Sequence, residues 1–112
     1  MKTLTQLSKE VHDAMNQPAE LAKIYLYCAA EFGYYSDILK DIKIKKAEKW
    51  LQIKESGDEK DISDKKADML FAQTDDGKKE IELTYNLKAL EKFMGAIKQS
   101  AYLNKEEAKN LY

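Results

Sequence analysis

Between Lys43 and Lys54 the chain carries five lysines, one tryptophan and a single acid, Glu48. On a helix, Lys43, Lys46, Trp50 and Lys54 fall within about 80° of one another, and Lys49 flanks them. Lysines a turn apart can follow a phosphate backbone, and an indole is a stacking platform for an unpaired base. Duplex bases are closed to such stacking, so the chemistry open to these residues is recognition of a single strand. Arginine is absent and all nineteen basic residues are lysines, which offers ammonium points rather than planar guanidinium forks. The same residues also have a structural use. Trp50 can plug the end of a helical core, lysine stems can cover apolar surface, and the acidic stretch Glu55 to Asp64 can pair with the ammonium groups.

Other reactive chemistry is scarce. His12 is the only histidine and stands beside Asp13; a solvated side chain accounts for it. Cys28 is alone, so no intramolecular disulfide can form, and its place in an apolar row marks it as an inert core thiol. There is no Glu-x-x-His, no His-x-x-x-His, no Gly-x-Gly-x-x-Gly and no Walker loop. Asp58, Glu59 and Asp61 lack the loop glycine and closing glutamate of an EF-hand. The expectation is no catalytic residue, no metal ligand and no cofactor.

The elements that must position the lysines follow from apolar spacing. Leu21, Tyr25, Cys28, Phe32, Tyr35, Leu39 and Ile42 recur by steps of four and three. Continuing the same steps gives Lys46, Lys49 and then Ile53, so the basic residues stand in the row that should be apolar. Pro18 suits a first helical turn, which predicts a long helix over 18–54. Before it, Leu4, Leu7, Val11, Ala14 and Met15 predict a short helix over 3–15. Residues 55–62 read as a polar turn, with Ser63 as the following N-cap. The return segment, 63–103, carries Leu83, Leu87, Leu90, Met94, Ile97 and Ala101 in a second row; "TDDG" (Thr74 to Gly77) either breaks or kinks it. Asn104 with Glu107 resembles a capping box and predicts a short terminal helix over 105–112.

Two rows joined by one turn predict an all-α fold: a long antiparallel coiled-coil-like helical hairpin with short N- and C-terminal helices. At 112 residues it is one helical domain. Leu26, Tyr27, Tyr34, Ile44 and Leu51 lie away from the first row, and a two-helix hairpin cannot cover them. They are either packed by the end helices or form an oligomer or partner interface. The net charge is −1, so no global field draws the chain to nucleic acid or a membrane surface. The longest apolar run, Ile24 to Ala30, has seven residues and cannot span a bilayer. The start lacks the apolar core of a signal peptide, and a cytoplasmic location is expected.

From about Lys46 to the end, the chain resembles the recombination mediators of T-even-like phages. The matching pieces are Lys46-Ala47, Trp50, Ser56-Gly57, Ser63 and "GAIKQSAYL" (Gly95 to Leu103). One departure is Glu48, which stands where the motif has a second basic residue; the nearest lysine is Lys49. The resemblance implies a ring-like homo-oligomer in the host cytoplasm that binds single-stranded DNA. It also implies loading of a recombinase onto strands coated by single-strand-binding protein. The alternative is a small helical protein–protein interaction module that binds no nucleic acid, such as a phage inhibitor of a host protein or a structural component.

Overall fold

The computed structural model describes residues 2–56 and 63–111, which form four helices and, among the described residues, no strand. They are α1 (Leu4–Asp13), α2 (Pro18–Ser56), α3 (Asp64–Ala72) and α4 (Asp75–Leu111). The fold is all-α, a helical hairpin of α2 and α4 with α1 and α3 beside it.

Local chemistry sets the helix ends. Thr3 caps α1: its hydroxyl accepts from Gln6 N at 3.1 Å, and the Gln6 side chain accepts from Thr3 N at 2.9 Å. Pro18 opens α2, as its fixed φ and missing N–H favour. Ser63 caps α3 by accepting from Lys66 N at 3.2 Å. "TDDG" is a break, not a kink. Thr74 Oγ1 donates to Phe71 O at 2.6 Å and accepts from Gly77 N at 3.1 Å, closing α3 and capping α4. At Gly77 the junction is so close that a Cβ would strike the Phe71 carbonyl and approach Ala72 Cα to 2.7 Å.

Several expected boundaries differ, and α1 starts at Leu4 rather than 3. α1 ends at Asp13 rather than 15, and α2 runs past 54 to Ser56. The rest of the expected turn, 57–62, lies outside the described residues, as does Tyr112. Nor is there a separate terminal helix, because α4 runs unbroken through Asn104 to Leu111. No glycine or proline occurs in 96–111, and a cap at Asn104 would need an extended backbone there that the continuing helix does not offer.

Packing divides the chain into two units. Unit 1 comprises Met1–Tyr34 and Asn86–Tyr112, and unit 2 comprises Tyr35–Tyr85. In unit 1, Val11, Ala14, Leu21 and Ile97 form a core with Ile24, Tyr25 and Phe93 against it. Leu7, Cys28 and Leu90 are fully buried in the same unit. The start of α2 thus packs on the end of α4, with α1 alongside. In unit 2, Ile42, Phe71 and Leu83 form the core, flanked by Tyr35, Ile38, Leu39 and Ile53. Both apolar rows read from the sequence therefore supply core residues. Ala101, expected in the second row, is exposed.

The lysine–tryptophan segment and the outer face of α2

In unit 2 the lysines of the first row meet carboxylates. Lys46 Nζ lies 3.3 Å from Glu80 Oε1, Lys49 Nζ 2.6 Å from Asp76 Oδ2, and Lys54 Nζ 2.5 Å from Asp64 Oδ1. Trp50 Nε1 donates to Asp68 Oδ1 at 3.1 Å. Two of the ammonium groups also sit over rings, Lys46 at 5.4 Å from Phe71 and Lys54 at 4.7 Å from Trp50 itself. Lys43 is exposed and makes no ion pair among the described residues.

The register explains the pairing. Ile42 shares a core cluster with Leu83; one step further along antiparallel helices brings Lys46 to Glu80, and the next brings Lys49 to Asp76. Stepping back from Leu83 by three and then four gives Glu80 and Asp76, so the second row turns acidic where the first turns basic. Spacing alone carried that signal, since both acids continue the leucine row. Asp68, by contrast, depends on how α3 folds back, which no period announces.

The electrostatics are uneven along this layer. The hydrogen bond from Lys49 holds the Asp76 carboxyl below its usual range, partial burial opposes this, and the positive charges of Lys49, Lys45 and Lys79 add to the lowering. Glu80 is less well served. Its Oε2 is buried with no hydrogen-bond partner, and its Oε1 has only the long contact to Lys46.

On the outer face of α2, Leu26 is 68% exposed, Tyr34 62%, and Ile44 and Leu51 54% each. Tyr27 differs from this group. Its hydroxyl accepts from Lys2 N at 2.8 Å and its ring lies 5.1 Å from the Lys2 ammonium, so the start of the chain covers it.

Reactive groups do not converge elsewhere. His12 is exposed. Cys28 is fully buried, and burial first, then the nearby charge of Glu10, pushes its thiol above the usual range, away from the reactive thiolate. Among the described residues no group of three His, Cys, Asp or Glu side chains could hold a metal ion. Among the same residues no helix is long and apolar enough to cross a membrane. Compared with known proteins, the chain matches no family model, no curated protein and no solved structure.

Proposed function

We propose that the protein works without catalysis, as a helical protein–protein interaction module. The observation that carries this reading is the exposure of Ile44 and Leu51 by more than half on the part of α2 that lies in unit 2. Each would contribute about 1.5–3 kcal/mol if a partner buried it fully. Ile81 and Tyr85, one turn apart on α4, are similarly exposed at 61% and 70%.

The basic segment supports the reading from the other side. A single strand laid on Lys46, Lys49 and Lys54 would compete with Glu80, Asp76 and Asp64 for their ammonium groups. A base stacking on Trp50 on the side of Lys54 would displace a cation already there. Counterion release from phosphate is the main source of affinity in such complexes, and ammonium groups already paired with carboxylates yield less of it.

A titration of a fluorescent single-stranded oligonucleotide over a range of salt concentrations tests the reading. Little binding is expected, with no steep salt slope. Strong binding that falls steeply with salt, and that Lys46→Ala/Lys49→Ala abolishes, would replace it with the recombination-mediator function. Single-stranded DNA, a recombinase and a single-strand-binding protein would then be the partners.

A further inference from the structure

In unit 1 the start of α2 and the end of α4 leave an open cavity of about 390 Å³ between them. Leu21 and Ile97, both buried, line it, and Tyr25 and Leu26 add to the α2 wall. Val11 and Ala14 of α1 share a core with Leu21 and Ile97, yet among the described residues none from α1 lines the cavity. Ala22 and Ala101 contribute only methyl groups to its walls, which leaves room that longer side chains at those positions would take. Both are exposed, so the cavity opens to solvent.

The lining is chemically one-sided. Its surface is almost wholly apolar, and of the side chains that line it Lys98 alone is charged. Lys98 makes no ion pair among the described residues, and its ammonium lies 5.7 Å from the centre of the Tyr25 ring. A hollow of this size, with apolar walls and one placed polar group, has the character of a small-molecule site. The lysine selects an anion for the end of the ligand that reaches water. A docked helix fits less well, because it spreads its anchors from i to i+7, about two turns. From α4 the cavity has only the stretch Ile97 to Ala101, little more than one turn.

We propose that this cavity binds a small amphipathic carboxylate. The apolar tail would lie along Leu21, Ala22, Ile97 and Ala101, and the carboxylate would pair with Lys98. Burial of the tail supplies the affinity, and the single charge sets which end points outward. The site lies in unit 1, apart from Ile44 and Leu51 of unit 2, so it does not depend on the interaction reading.

Octanoate and octanol, which share a tail and differ in the head, test this on the full chain by NMR titration. Octanoate, kept below its aggregation concentration, should give saturable shifts at Ala22, Leu26 and Ala101 and leave Ile44 and Leu51 unmoved. Lys98→Met keeps an apolar stem and removes the charge. It should weaken octanoate by about twofold to fivefold, the worth of one exposed ion pair, and leave octanol unchanged. Ala101→Leu should fill the cavity and abolish binding of both, and Ala22→Leu should do the same from the other wall. Circular dichroism should be unchanged in all three variants, since the positions are exposed and leucine and methionine are good helix formers.

Octanoate shifts that never saturate, or that move Ile44 and Leu51 as much as Ala101, overturn the site. So does binding that survives both leucine variants. A Lys98→Met variant that loses octanoate and octanol alike, or neither, overturns the role of the charge and with it the carboxylate. Binding to vesicles of anionic phospholipid with none to octanoate would give the cavity to a membrane surface and also overturns the proposal.

Discussion

The Lys46–Glu80 pair offers the sharpest check on the charged layer between α2 and α4. The Lys46 side chain is 35% exposed but that of Glu80 only 18%, and Glu80 Oε2 is buried without a partner. Replacing Lys46 by methionine keeps a stem over Phe71 and removes the ammonium. Both oxygens of a mostly buried carboxylate then lack a donor. Leaving such a group unsatisfied costs about 1–3 kcal/mol. For a chain of this length a cost near the middle of that range lowers the melting temperature by roughly 5–10 °C. Glu80→Met is not symmetric, because the freed ammonium can swing into water and the orphaned oxygen disappears. It should cost less than about 1 kcal/mol. The double variant Lys46→Met/Glu80→Met should return close to wild type, or exceed it, since an apolar pair of similar volume often matches a buried ion pair. The double-mutant cycle should therefore yield a coupling of about 2–3 kcal/mol. Thermal and urea unfolding followed by circular dichroism measure it. If Lys46→Met is as stable as wild type while Glu80→Met is the costly change, the carboxylate is solvated and the layer reasoning is wrong.

Three further outcomes are expected. The Asp76 carboxyl is held low by Lys49, so its contribution is fully present above the unfolded value of about 3.9 and is lost as pH falls through its depressed folded value; Lys49→Ala should flatten the acid limb of a stability–pH curve, and an unchanged limb counts against that role. Gly77→Ala must move the Phe71 carbonyl or the α4 backbone, at about 1–3 kcal/mol, whereas Gly33→Ala, with open space around it, should not lower monomer stability. Leu90→Asp puts a carboxylate at a fully buried position and should unfold unit 1, at several kcal/mol in order of magnitude; retained near-native unfolding cooperativity would contradict its place in the core.

What could be read from the sequence tracks the range of the interactions concerned. Leu21, Cys28 and Ile42 on one helix and Leu83, Leu90 and Ile97 on the other are all buried, because a four-and-three step records one face of a helix directly. Ser63 was legible as a cap for the same reason: its bond to Lys66 N spans three residues. The capping-box pattern at Asn104 does not start a helix, since side-chain types describe what a cap could do and not whether the backbone stops there. "TDDG" is ambiguous as a sequence, and the two bonds of Thr74, one in each direction, decide it as a break. The meaning of the lysines lay furthest from reach. Their spacing marks them as seam residues, but only the hairpin register brings Glu80 and Asp76 opposite them. The α3 contact that engages Trp50 depends on tertiary folding alone.

The charged layer also bears on why this hairpin has one register. Leucine rows are nearly indifferent to a slip of one heptad, since each leucine meets another. Sliding α4 by seven residues against α2 in the direction that moves Leu83 toward Lys49 would set Glu80 against Ile53. A lysine and a carboxylate would each lose their partner, and an uncompensated buried charge costs far more than a repacked leucine. Polar residues at single seam positions fix register in this way, by penalising alternatives more than by stabilising the native pairing. The Lys46→Met/Glu80→Met variant separates the two effects, for it removes one charged rung while keeping the native contact apolar. Near-wild-type midpoint stability with a broadened unfolding transition is the expected signature, reflecting registers that the charged rung had excluded. A transition as sharp as wild type would instead leave the register to other contacts, the close Gly77 junction between α3 and α4 among them.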